Sequence, residues 1–99
     1  MDLNEYVKNC HKIAKLKGFW DKDRNDGEMI ALMHSELSEC LEALRENNWN
    51  DKGNVSEELA DCLIRIFDFC GGRKIDIETA IQRKMEYNKH RPYKHGKEF

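Results

Sequence analysis

Two short segments carry the residues best suited to chemistry, and they repeat one device. The first is Glu36-Leu37-Ser38-Glu39-Cys40-Leu41 and the second is Glu58-Leu59-Ala60-Asp61-Cys62-Leu63. Each sets two carboxylates three residues apart, on neighbouring positions of one helical flank. With Leu37 at the centre of an apolar stripe, Glu36 falls roughly 100° to one side and Glu39 roughly 160° to the same side. Glu58 and Asp61 hold the same offsets from Leu59. If the two stripes pack together, four carboxylates converge, and such a group stays ionised only beside a cation. The pattern therefore predicts a divalent-metal site. Its ligands, Glu36, Glu39, Glu58 and Asp61, are all oxygen donors, which suits Mg²⁺ or Mn²⁺ and not Zn²⁺.

Acidic runs are ordinarily solvated surface. Here Glu36 and Glu39 share a weaker stripe with Leu32 and Ala43, while Ser35, Glu42 and Glu46 carry the solvated face. A di-iron carboxylate bundle needs Glu-x-x-His on two helices. None of His11, His34, His90 and His95 has a glutamate three residues before it. A second charged element lies near the C-terminus. The stripe Ile77, Ala80 and Ile81 runs on into Lys84, Met85 and Asn88, with Arg91 close to the same line. The lysine either snorkels from an ordinary surface or forms a positive edge facing an anion. A carboxylate-held Mg²⁺ beside Lys84 and Arg91 is an arrangement for handling phosphate. No Gly-rich phosphate loop is present, which excludes a P-loop enzyme.

Four helices must position these groups. The first is expected from about Leu3 to Lys17, ending at Gly18. Asn25-x-x-Glu28 and Asn54-x-x-Glu57 resemble capping boxes that open the second and third. The second should run to about Arg45, with Ile30, Met33, Leu37, Leu41 and Leu44 as its main seam. The third should run to about Cys70 and stop at Gly71-Gly72, with Val55, Leu59, Cys62, Leu63 and Ile66 as its seam. Arg65 and Asp68 continue its acidic flank, where Arg65 is expected to pair with an acid. Asp76 caps the fourth helix, Ile77 to Lys89, and Pro92 closes it. Phe19 and Trp20 lie between the first two helices, where a large aromatic is either a plug for the core or a stacking surface for a ligand. No segment has the period of a strand, so the fold class is all-α, in one domain over residues 1–99.

Composition sets the remaining bounds. A net charge of −2 gives no basic footprint for nucleic acid. No apolar run approaches a membrane span and no signal-peptide core is evident, so a soluble, cytoplasmic protein is expected. Cys10, Cys40, Cys62 and Cys70 lack metal-ligand spacing and read as reduced core residues. Helix two carries apolar residues both on its seam and beside the acids, more than 99 residues can cover. A symmetric homo-oligomer is expected, at least a dimer.

At this point the chain resembles the MazG-like family of all-α nucleoside triphosphate pyrophosphohydrolases. That family carries E-x-x-E, a spacer, then E-x-x-D; here the two motifs are Glu36-x-x-Glu39 and Glu58-x-x-Asp61, eighteen residues apart. Gly18-Phe19-Trp20-Asp21 with Arg24-Asn25-x-Gly27-Glu28 is similar to the family's first loop. Lys84-x-x-Tyr87-Asn88-x-x-Arg91-Pro92-Tyr93-x-His95-Gly96-Lys97-x-Phe99 is similar to its C-terminal signature. The resemblance implies a four-to-five-helix bundle completed by oligomerisation, as a homodimer or homotetramer. It implies Mg²⁺-dependent hydrolysis of a (deoxy)nucleoside triphosphate to monophosphate and pyrophosphate. It carries metal binding onto Glu36, Glu39, Glu58 and Asp61, phosphate contacts onto Lys84, Asn88 and Arg91, and base stacking onto Trp20. One departure stands out. Many members have a glutamate immediately before the first motif, where this chain has Ser35, so the general base is left unassigned. A nucleotide-binding module that keeps the fold without turnover is the alternative, and Ser35 is the feature that leans toward it.

Overall fold

The computed structural model describes all 99 residues. Four helices follow one another: α1 (Leu3–Leu16), α2 (Asp26–Arg45), α3 (Val55–Arg73) and α4 (Ile77–Lys89), with a single 3₁₀ turn at Tyr93–Gly96. There are no strands. Each α-helix begins at a side chain that accepts from an otherwise unpaired backbone N–H: Asp2, Asn25, Asn54 and Asp76 bond the amides of Glu5, Glu28, Glu57 and Thr79. The third start is reciprocal, because Glu57 Oε2 accepts from the Gly53 N–H at 2.8 Å. These caps stabilise each start by about 1 kcal/mol, typically.

α3 is the central element, packed against α1 on one side and α2 on the other. α4 has its main contact with α1. Gly71 and Gly72 do not end α3, as the sequence led us to expect; the helix runs through them to Arg73 and is closed by Lys74 in the left-handed region, φ 57°. The reason is tertiary. A Cβ on Gly71 would lie 2.5 Å from His11 Cβ, and one on Gly72 would collide with the outer edge of the Trp20 ring, 2.6 Å from Cζ2. The two glycines let α1 and the loop after it come down onto α3.

The buried face of α2 also departs from expectation. Met29, Glu36, Cys40 and Ala43 are buried, so the mixed stripe that holds an acid is the one facing α3. The purer apolar seam faces outward: Leu37, Leu41 and Leu44 are between 43% and 52% exposed, and Ile30 is exposed too. On α3, Val55 and Cys62 are buried, whereas Leu59, Leu63 and Ile64 are exposed. Each helix has two apolar flanks, and folding of the chain covers the one that carries the small residues Cys40, Ala43 and Cys62. Small side chains let the helices approach closely enough for the carboxylates between them to meet.

Candidate functional site: an acidic cluster beside a cavity

The cluster lies where α2 crosses α3. Carboxylate oxygens of Glu36, Glu58 and Asp61 all fall within 4.8 Å of one another. Glu36 is the most enclosed, 8% exposed, and Arg65 Nε donates to its Oε1 at 2.8 Å. This is the ion pair expected for Arg65, and it fixes the orientation of one carboxylate without neutralising the others. Glu39 is more exposed and adjoins Glu58. Thus Glu36, Glu58 and Asp61 converge directly and Glu39 completes the group from its outer side.

Glu58 shows the strain of this gathering. Its Oε2 is buried and accepts no hydrogen bond from a fixed donor. Burial pushes its carboxyl above the ordinary glutamate range, followed by a hydrogen bond to Glu39 that only protonated Glu58 can donate. The negative charges of Glu39, Asp61 and Glu36 push in the same direction. An unpartnered buried carboxylate oxygen among all-oxygen neighbours fits a hard divalent cation.

A pH dependence follows. Because the folded-state pKa of Glu58 lies above its unfolded value, folding takes up a proton. The native state is favoured at low pH and loses that advantage as pH rises from the ordinary glutamate range through the raised value. In chelator, the melting temperature of the parent relative to Glu58→Gln should therefore fall with rising pH in that window. Added Mg²⁺ should reverse the trend, since the cation binds the ionised form. Parallel pH profiles for parent and variant would refute this account of Glu58.

Glu36 and Asp61 also line a cavity of about 230 Å³ between α1 and the α2–α3 pair, walled by Ile13, Phe19, Arg24 and Arg65 among others. Its aromatic wall is Phe19, 61% exposed, and not Trp20. The indole of Trp20 sits on Gly72, edge-on to His11 with ring centroids 4.9 Å apart, and its Nε1 donates to Asp68 Oδ1 at 2.9 Å. The Arg24 and Arg73 guanidinium groups lie 5.2 and 5.7 Å from its ring centre. This is the placement of a plug. The reason is that Trp20 finds a hydrogen-bond acceptor and a glycine floor on α3, whereas Phe19, one residue earlier, is turned to the cavity.

Asp68 has a role that the sequence did not disclose. It does not extend the acidic flank into solvent but is buried. Besides the Trp20 indole, it meets His11 Nδ1 at 2.9 Å and Arg24 Nη1 at 3.2 Å. One carboxylate thus pins α1 and the loop that carries Phe19 onto α3, beside the acidic cluster. Only a pairing across 57 residues reveals it, and no local pattern signals that.

Lys84, Asn88 and Arg91 gather elsewhere. Lys84 Nζ lies 4.8 Å and Arg91 Cζ 5.4 Å from the ring centre of Tyr87. Lys84 is exposed, and neither basic side chain lines the cavity. The α4 stripe read as inward-facing is covered only in part, because α4 lies chiefly on α1; Met85 is 61% exposed. Asn88 is the exception, with a buried Oδ1 that has no donor. Ser35, at the position of the departing glutamate, turns its hydroxyl to its own helix, donating to Leu32 O at 2.6 Å.

The family profile described as "MazG nucleotide pyrophosphohydrolase domain" matches residues 24–95. That segment holds both acidic motifs and the α4 basic residues, and it begins after Phe19 and Trp20. No curated protein and no solved structure matches the chain significantly. No helix is long and apolar enough to cross a membrane. With well over half of the chain matched, the acid pairs on two crossing helices find their place: the chain belongs to the MazG nucleotide pyrophosphohydrolase family.

Proposed function

We propose that the protein hydrolyses a nucleoside or deoxynucleoside triphosphate to the monophosphate and pyrophosphate, using Mg²⁺, with Mn²⁺ as a substitute. The observation that carries this reading is the convergence of Glu36, Glu58 and Asp61 within 4.8 Å at the edge of a cavity that two of them line. Glu36, Glu39, Glu58 and Asp61 would hold the cation. When bound, it supplies Lewis-acid stabilisation of phosphate oxygens and a more acidic water. The Arg65 guanidinium keeps Glu36 aimed at the cluster. The cavity walled by Phe19 and Ile13 takes the apolar faces of the nucleoside and excludes water, and the Asp68 contacts hold that wall in place. Trp20, for which the resemblance implied stacking, supports the Phe19 loop from behind.

Lys84, Asn88 and Arg91 meet the phosphate chain once protomers associate, since within one protomer they lie away from the cavity. The uncovered seams of α2 and α3 are the surfaces for that association, as a dimer or a dimer of dimers in the cytoplasm. Light scattering at micromolar concentration should give at least a dimer, and Leu41→Lys, which buries a charge in the seam, should dissociate it. A fully active monomer would rule this assembly out.

The reading is tested by coupled release of phosphate in the presence of pyrophosphatase, over a panel of nucleotides with and without Mg²⁺. Mg²⁺-dependent release from at least one triphosphate is expected. Tight nucleotide binding without release would favour the non-catalytic module, for which the turned-away Ser35 hydroxyl is the specific observation. Lys84→Met keeps side-chain volume and helix propensity while removing the charge. Its turnover should fall about 10²-fold, the scale of losing one electrostatic stabiliser, with the Mg²⁺-induced rise in melting temperature retained. Lys94, in the 3₁₀ turn, is the control. A Lys84→Met rate near the parental one would make that edge an ordinary solvated face.

A further inference from the structure

A second concavity lies on a different flank of α1, turned roughly 140° from the residues that line the first. It is a groove of about 570 Å³ between α1 and the end of α3. Lys8, Lys12 and Lys15 contribute from α1, Lys74 from the cap of α3, and no carboxylate belongs to its lining. Every lysine of the four is without an ion-pair partner, the only paired lysine in the structure being Lys89. The chain as a whole carries −2, so this clustering runs against its average charge.

Helix dipoles account for part of it. Lys15 and Lys74 stand at helix C-termini, where a cation is favoured. Lys8 and Lys12 stand in the middle of α1, where no such field helps them. On a convex surface solvated lysines diverge, but here all four line one concavity, where a single multiply charged anion can meet several of them at once. The floor includes Val7, Cys70 and Gly71, low-lying residues that allow close approach. Compact ammonium groups without an arginine fork suit a dense, multiply charged phosphate. The groove has no Phe, Tyr or Trp on which nucleic-acid bases would stack, and its one imidazole, His11, is held by Asp68.

We propose that this groove is a second binding site, distinct from the acidic cluster, for a small phosphorylated anion. His11 belongs to both regions: it lines the groove and bonds Asp68, which holds Arg24 at the wall of the first cavity.

The test uses the intact protein in chelator at low salt, with sodium pyrophosphate as probe and amide chemical shifts as readout. Without a divalent cation the acidic cluster repels the probe. Saturable shifts confined to residues 4–15 and 70–75 are expected, with sub-millimolar affinity that weakens as salt is added. Lys8→Gln/Lys12→Gln, on exposed positions, should bind about tenfold more weakly, a loss of about 1.4 kcal/mol. Lys17→Gln, on the other cavity, should bind as the parent does. Inorganic phosphate should be weaker than pyrophosphate, and adenosine monophosphate should match phosphate unless the groove also takes the nucleoside, which tighter binding would show. The proposal falls if no shifts occur up to about 10 mM, if they centre on Lys84–Arg91, or if the double variant binds like the parent. It also falls if a short oligoribonucleotide binds more tightly than pyrophosphate. None of these outcomes depends on turnover.

Discussion

Glu58→Gln is expected to lower pyrophosphate release by about 10³-fold or more, because several kcal/mol of electrostatic assistance from a held cation corresponds to that factor. The same change should leave the metal-free protein at least as stable as the parent at neutral pH. Glutamine retains the shape and removes a charge that burial, Glu39, Asp61 and Glu36 all oppose. Activity and stability therefore move in opposite directions, the signature of a site kept for function at the expense of the fold. Mg²⁺ should raise the melting temperature of the parent and scarcely that of the variant. Glu39→Gln should lose most of the turnover too. Its metal-free stability should gain as well, since Glu39 contributes to the same repulsion. A Glu58→Gln protein that is both less stable and still responsive to Mg²⁺ would place the metal elsewhere.

The largest effect on folding is expected at the two glycines of α3. Alanine in a helix interior is ordinarily favoured over glycine by about 1 kcal/mol. At Gly71 the new Cβ meets His11 Cβ at 2.5 Å, an atom fixed by the backbone of α1. Overpacking of this kind costs about 1–3 kcal/mol, so the clash wins and Gly71→Ala should melt lower, by about 4–8 °C for each net kcal/mol in a domain of this size. Gly72→Ala meets the end of the Trp20 ring, which is free to swing away only by giving up its bond to Asp68. The expected result there is a lower melting temperature together with a red shift of tryptophan emission as the indole leaves its site for water. Either alanine variant melting at or above the parent would show that α1 docks less closely than the structure has it.

These glycines also show what the sequence can and cannot disclose. Gly71-Gly72 reads as a helix stop because local propensity says so, and only the approach of His11 and Trp20 explains why the helix continues. The helix starts were legible because a cap is a local event: Asn25, Asn54 and Asp76 each bond an amide three residues on. The acid pairs were legible for the same reason, since i and i+3 share a flank on any helix. Which flank faces inward was not. Leu37 and Leu41 make a cleaner seam than Cys40 and Ala43, yet the latter are buried, because the choice belongs to the partner helix. Phe19 and Trp20 are adjacent and chemically alike, and what separates them is an acceptor on Asp68, 48 residues away from the indole. The position of α4 was the least legible, for its stripe is only partly covered by its own chain.

The separation of Asp68 from its partners bears on the order in which the chain folds. α2 and α3 are joined by a short connection, and their crossing can form early from nearby sequence. The contacts from His11, Trp20 and Arg24 span 57, 48 and 44 residues and carry a larger loop-closure cost. Docking of α1 should accordingly follow the transition state. Asp68→Asn would then hasten unfolding and leave the refolding rate nearly unchanged, as expected for a contact with a φ-value near zero. The carboxylate that holds the cavity wall in place would act as a late latch, governing how long the folded protein persists more than how quickly it is reached.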